Sequence, residues 1–75
     1  MGLVNGRSAM LVATALPPVP TGRIKSFGPF GPKYEVGHPL RQLQNGDWMI
    51  EITMIETGEK AEYRLSHLID DPEAE

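Results

Sequence analysis

The clearest pattern in the chain is an alternation of side chains from Asp47 to Ile55, in which every second residue from Trp48 is large and apolar. Successive side chains of a β-strand point to opposite faces of a sheet, so a period of two predicts a strand with one buried face. The predicted buried face carries Trp48, Ile50, Ile52 and Met54, and the other face carries Met49, Glu51, Thr53 and Ile55.

A second alternating segment, Lys60–Leu65, follows the dipeptide Thr57-Gly58 and predicts an antiparallel hairpin. The favoured register places Ile55 opposite Lys60, because a one-residue slip would set apolar residues against charged ones. This register pairs Met54 with Ala61, Ile52 with Tyr63, Ile50 with Leu65, and Glu51 with Arg64.

The segment before this hairpin has weaker signals. Lys33–Val36 is a short alternating strand, and Gly37-His38-Pro39 is predicted to end it. Residues 40–44 have leucines three positions apart, which favours a helical turn over a strand, and both interpretations stay open. Asn45-Gly46 is the strongest turn signal in the chain and predicts a type I′ hairpin turn.

A short helical turn is predicted near the end of the chain. Ser66 is a suitable cap for residues 67–70, and Pro72 excludes Asp71 from helical geometry. Leu68 and Ile69 are predicted to close one end of the core.

These elements predict a mainly β fold, a small antiparallel meander of three to four strands with a short C-terminal helical turn. A curled, partly open barrel is the alternative arrangement. The predicted domain spans residues 21–71. Residues 1–20 end in the proline-rich segment Pro17–Pro20 and are predicted to be a flexible arm, and residues 72–75 an acidic tail. Either Met1 or Met10 is a suitable start of translation.

Composition narrows the function classes. The chain has 75 residues, a formal net charge of -3 and no cysteine, which excludes disulfides, thiolate metal sites and thiol nucleophiles. A core this small favours self-association. Residues 1–46 hold five cations and one anion, whereas residues 47–75 hold two cations and nine anions. The apolar run 9–16 is too short to span a bilayer, so no membrane contact is expected. The absence of cysteine fits a reducing compartment.

Five short motifs resemble a family of short bacterial proteins of unknown function. They are Phe-Gly-Pro in two copies at Phe27 and Phe30, Gly46-Asp47-Trp48, Glu56-Thr57-Gly58-Glu59, Tyr63 with Ser66, and Asp70-Asp71-Pro72-Glu73-Ala74. The resemblance covers residues 21–75 and implies a bacterial, cytoplasmic setting.

Catalytic and metal-binding patterns are weak. Ser66 and His67 are adjacent, and adjacent side chains diverge on a helical turn, so they do not form a nucleophile–base pair. His67, Asp70 and Asp71 have a spacing that could bring one imidazole and two carboxylates together, but a solvated surface is the favoured interpretation. We therefore expect no enzymatic activity, no catalytic residue, no metal and no cofactor.

Two binding hypotheses remain, and they share one set of candidate residues. A protein partner or self-association is ranked first, through aromatic loops and a free strand edge. Binding of single-stranded nucleic acid through a basic–aromatic patch is ranked second. The candidate binding residues are Arg23, Lys25, Phe27, Phe30, Lys33, Tyr34 and Trp48.

Overall fold

The computed structural model describes residues 16–74 as an open antiparallel sheet with one short helix. The strands lie in the order of the sequence, which confirms the predicted meander, and the sheet is not closed into a barrel. The elements are β1 (Ile24–Ser26), β2 (Lys33–Gln42), β3 (Trp48–Met54), β4 (Lys60–Arg64) and α1 (Leu65–Asp70).

The predicted hairpin of β3 and β4 is confirmed, but its predicted register is wrong by two residues. Ile52 lies opposite Ala61, and Ile50 lies opposite Tyr63. The Met54 N–H donates to the Glu59 carbonyl at 2.7 Å, and this pair closes a loop of four residues, 55–58. Inside the loop the Gly58 N–H donates to the Met54 carbonyl at 2.8 Å, and Gly58 takes a φ of +76°. A slip of two residues keeps every side chain on its predicted face, so the alternation cannot distinguish the two registers.

The observed register places Glu51 opposite Glu62, where the predicted register had an opposite-charge pair. Arg41 of β2 offsets this like-charge contact. Arg41 Nη2 lies 2.8 Å from Glu62 Oε1, and His38 Nδ1 lies 3.6 Å from Glu51 Oε1. The polar face of the sheet is therefore organised across three strands and not within one hairpin.

The strand β2 continues through Gly37-His38-Pro39, so the predicted break and the helical turn after it are wrong. The pairing with β3 is irregular on both sides of Pro39, where a residue without an N–H is tolerated. At Gly37 the backbones approach closely, since a Cβ there would lie 2.5 Å from the Glu51 carbonyl oxygen. Local sequence marked this position as a stop, but tertiary pairing keeps it extended.

The turn at Asn45-Gly46 is at its predicted position but is not of type I′. Gly46 has a φ of +93°, and Asn45 has no positive φ. The Leu43 N–H donates to the Asp47 carbonyl at 2.8 Å, and the Gly46 N–H donates to the Leu43 carbonyl at 3.0 Å. This is a three-residue loop that ends in a left-handed glycine.

The core lies on one face of the sheet, and α1 covers it. Leu68 is buried as predicted, whereas Ile69 is 59% exposed and Leu65 is the second buried residue of the helix. The buried apolar residues are Tyr34, Val36, Ile50, Ile52, Leu65 and Leu68, with Val19, Phe27, Trp48, Met54 and Tyr63 packed against them.

The two ends of α1 are held by residues from other elements. Ser66 lies inside the first turn and is not the cap, and the Asp47 carboxylate accepts both its N–H at 3.2 Å and its hydroxyl at 2.6 Å. At the other end, the buried Lys25 Nζ donates to the Leu68 carbonyl at 2.6 Å. Asp71 is extended, as predicted from Pro72.

The segment after α1 returns to the opposite edge of the sheet. The Ser26 N–H donates to the Pro72 carbonyl at 3.1 Å, and the Ala74 N–H donates to the Ile24 carbonyl at 2.8 Å. Residues 72–74 therefore pair with the outer edge of β1. Of the predicted N-terminal arm, residues 1–15 lie outside the described part of the chain, and Val19 packs against the core.

Candidate interaction surface

The two Phe-Gly-Pro copies in the loop between β1 and β2 have opposite environments. Phe27 is half-buried, and its ring centroid lies 4.7 Å from that of Tyr34 and 4.9 Å from that of Tyr63. These are favourable aromatic packing distances. Phe30, three residues later, is 98% exposed. One phenylalanine anchors the loop, and the other projects from it into solvent.

Several backbone contacts fix the loop that carries Phe30. The Phe27 N–H donates to the Pro32 carbonyl at 3.0 Å and closes the base of the loop. The Ser26 hydroxyl donates to the Gly28 carbonyl at 2.6 Å. At Gly31 a Cβ would lie 1.9 Å from the Phe27 carbonyl oxygen, so only glycine fits this approach. The exposed phenylalanine thus stands on an ordered loop.

A partly buried polar cluster contacts the same loop. Asp71 Oδ2 accepts the Tyr34 hydroxyl at 2.7 Å and the Tyr63 hydroxyl at 3.0 Å. Asp71 Oδ1 accepts the Gly28 N–H at 3.4 Å. Burial, with the nearby Asp71 carboxylate, raises the pKa of Tyr34 well above its usual value and that of Tyr63 to about 12. Both hydroxyls are protonated donors at neutral pH, which suits a structural role.

A second exposed apolar residue lies at the same end of the sheet. The Ile55 N–H donates to the Lys33 carbonyl at 3.1 Å, so the loop after β3 lies beside the start of β2. The Ile55 side chain is 48% exposed. We call residues 27–32 and 55–59, the segments between strands at this end, the tip surface. Its other exposed side chains include Glu56 and Glu59.

The remaining predicted binding residues do not share one environment. Arg23 is exposed and forms an ion pair with Glu73 at 3.0 Å. Lys25 and Tyr34 are buried, and Trp48 is half-buried against the core at the opposite end of the sheet. Lys33 is exposed next to the tip surface. The structure thus brings Phe27, Phe30 and Lys33 to one loop and its flank, while the hypothesis of one seven-residue binding surface stays a prediction.

Sequence reasoning missed Asp71 and Tyr63 as supports of this loop, and it missed Ile55 as part of its surroundings. Asp71 stands in an acidic segment, which is typical of a solvated tail. No local signal marks it as the acceptor of two tyrosine hydroxyls, because its partners lie 8 and 37 residues away.

One protein family has a sequence pattern that matches residues 12–75, and it is described as a family of unknown function, DUF5397. The chain belongs to this family. The predicted resemblance to a bacterial family of unknown function is therefore confirmed, and the match begins before residue 21. A protein of Haemophilus influenzae is 54% identical over 57 residues, which cover 76% of this chain and 90% of the relative. The relative's name is "Uncharacterized protein".

Three further observations describe this DUF5397 chain within residues 16–74. These residues include no group of three or more histidine, aspartate and glutamate side chains arranged to hold a metal ion. They enclose no pocket. None of their helices has the length and apolar character needed to cross a bilayer.

Proposed function

We propose that the protein is a small, non-catalytic interaction module of the bacterial cytoplasm that binds a partner protein through its tip surface. The observation that carries this proposal is the almost complete exposure of Phe30 on an otherwise ordered loop. Aromatic side chains are frequent energetic centres of protein interfaces, where they fill pockets of the partner.

The support beneath Phe30 strengthens the proposal. Binding is weakened when a flexible loop must become ordered, so a loop that is already fixed retains more of its contact energy. The Phe27 ring, the closed loop base and the Asp71 contacts all fix this loop before any partner is present. The expected partner site is an apolar pocket with polar groups at its rim.

Binding of single-stranded nucleic acid is the competing hypothesis. Stacking of bases needs exposed aromatic rings and unpaired cations near them. Phe30 and Lys33 meet these conditions, whereas Tyr34 and Lys25 are buried and Arg23 is paired with Glu73. A protein partner is better supported, because one exposed ring makes a short stacking platform.

The test places a photo-crosslinking phenylalanine analogue at position 30 and, as the matched control, at position 69. Ile69 is also apolar and exposed but lies on α1. In bacterial cells, the expected result is a discrete cross-linked protein from position 30 that position 69 does not give. The purified partner should then bind wild type and I69A equally and bind F30A at least about tenfold more weakly.

Both alanine variants should unfold within about 0.5 kcal/mol of wild type, because each removes an exposed side chain. The proposal is wrong if position 30 captures no protein or if F30A binds the partner as well as wild type does. Strong, salt-dependent binding of oligonucleotides that F30A abolishes would establish the competing hypothesis instead.

A further inference from the structure

The two edge strands of the sheet differ in what covers them. The outer side of β1 pairs with residues 72–74. The strand β4 pairs with β3 on one side, and no segment within residues 16–74 pairs with its other side. The helix α1 packs on the core face of the sheet through its buried residues Leu65 and Leu68. An open edge is a template for another strand.

The register identifies the backbone groups at this edge. The Met54 N–H donates to the Glu59 carbonyl at 2.7 Å, and hydrogen-bonded pairs alternate along an antiparallel ladder. The backbone groups of Ala61 and Tyr63 therefore face β3. Those of Lys60, Glu62 and Arg64 face outward, and their side chains lie on the polar face of the sheet.

These three residues limit how β4 can pair antiparallel with β4 of a second copy. A residue whose backbone groups point out of the edge must lie opposite another such residue, because the two exchange hydrogen bonds. A register that is centred on Glu62 sets Glu62 against Glu62 of the partner subunit and is repulsive. Shifting it by two residues in one direction pairs Lys60 with Glu62 of the partner subunit. The opposite shift pairs Glu62 with Arg64 of the partner subunit. Symmetry forms the opposite-charge contact twice in either shifted register, so the residue at the centre of the pair on the core face decides between them: it is Ala61 in the first and Tyr63 in the second.

We propose that the protein forms a symmetric homodimer in which two β4 strands pair antiparallel with Glu62 facing Arg64 of the partner subunit. This register also brings Tyr63, which is half-buried on the core face, beside Tyr63 of the partner subunit. A close pair of aromatic residues across two strands adds to the stability of a sheet. The result is one continuous eight-stranded sheet, and its contact residues are separate from the tip surface.

Charge reversal tests this pairing directly. E62R sets arginine against arginine, and R64E sets glutamate against glutamate, so each variant should weaken the dimer at least about tenfold. Mixing the two variants restores opposite charges at every contact. The expected result is a dimer for wild type by light scattering on the full chain, predominantly monomer for each variant alone, and a heterodimer for the mixture by native mass spectrometry.

Three controls make the result specific. R41A removes the ion pair that Glu62 forms within its own chain and should leave the dimer unchanged. K60E should also leave it unchanged, because Lys60 has no charged contact in this register. F30A should retain the dimer, which separates this interface from the tip surface. Monomeric wild type, a mixture that stays monomeric, or a dimer that K60E disrupts would each overturn the proposed pairing.

Discussion

Both tyrosines of the chain donate their hydroxyl protons to the same oxygen of Asp71. Their rings also pack against each other, with centroids 5.6 Å apart. The Gly28 N–H donates to the second carboxylate oxygen, so one side chain links the loop before β2 to the segment after α1. Removal of this carboxylate would leave two hydroxyls without acceptors, and burial makes that loss costly.

The raised tyrosine pKa values predict a loss of stability at alkaline pH. In the unfolded chain both tyrosines ionise near pH 10, whereas folding raises the pKa of Tyr63 to about 12 and that of Tyr34 further. Their contribution to the free energy of unfolding is fully present below about pH 10 and decreases as the pH rises above it. Urea unfolding between about pH 8 and about pH 11 should show this decrease, with tyrosinate absorbance appearing only as the protein unfolds.

The double variant Y34F/Y63F is the control for this prediction. It retains both rings but cannot ionise, so its free energy of unfolding should be lower at neutral pH and nearly constant between about pH 9 and about pH 11. Y34F alone should cost about 1–3 kcal/mol at neutral pH, because one hydrogen bond to a carboxylate is lost. An equally steep alkaline loss in the double variant would exclude the tyrosines as its cause.

The strands of the sheet were predictable where their side chains alternate, and their registers were not. The faces of β3 and β4 follow from a period of two, which the core confirms through Ile50 and Ile52. The loop between these strands, which has Gly58 at its end, sets the register, and a two-residue shift leaves the pattern unchanged. Gly37 and Pro39 resemble a strand end locally, but pairing with β3 keeps them extended.

The helix α1 depends on partners that its own sequence does not contain. Six residues are too few for an isolated helix, because nucleation is costly and few turns follow. Asp47, from the preceding hairpin loop, accepts two hydrogen bonds from Ser66 at the first turn. Lys25, from β1, donates a hydrogen bond from its Nζ to the Leu68 carbonyl in the last turn. The sequence predicted a helical turn here, but these two long-range contacts have no local signal.

The cap at Asp47 predicts a loss of stability in acid. The Ser66 hydroxyl, together with the backbone N–H groups of Ser66 and Trp48, lowers the pKa of Asp47 in the folded chain. A lowered pKa means that the unfolded chain takes up this proton first, so the contribution is complete above the ordinary pKa of about 3.8. It is lost as the pH falls through the folded value. Thermal unfolding between about pH 3 and about pH 6 measures this loss.

The variants D47N and S66A test the origin of that acid loss. D47N has no titratable group at position 47, and S66A removes the largest cause of the lowered pKa of Asp47. In both variants the unfolding temperature should therefore fall less steeply as the pH is lowered. The slope should not disappear, because the Arg41 guanidinium also lowers the pKa of Glu62. An unchanged slope in both variants would contradict the assigned role of Asp47.

The chain as a whole closes one edge of its sheet with its own C-terminal segment. After α1, residues 71–74 run from the β4 side of the sheet to β1. Acidic composition at this position indicated a tail, because pairing across more than 40 residues leaves no periodic signal. The same limit applies to the candidate site. The two Phe-Gly-Pro copies look alike in the sequence, and only tertiary packing separates the half-buried Phe27 from the exposed Phe30.

Within residues 16–74 one edge of the sheet is covered and the other is not, and this difference determines how far the sheet can grow. A chain with one open edge can only form a closed pair, whereas a chain with two open edges can add copies without limit. Deletion of residues 72–75 removes the Pro72 and Ala74 hydrogen bonds to β1 and opens the second edge. We therefore expect the shortened chain to form assemblies larger than a dimer, with a mass that rises with concentration.

The loss of two backbone hydrogen bonds should also reduce the free energy of unfolding by about 1–3 kcal/mol. E73A is the matched control, since it removes the ion pair with Arg23 but keeps the backbone pairing of residues 72–74. It should have the mass of the full chain. Adding E62R to the shortened chain should prevent pairing of β4 with β4, because arginine would then face arginine. Assembly should therefore stop at dimers that form through β1. If the shortened chain has the same mass as the full chain at all concentrations, the C-terminal segment does not protect the edge of β1.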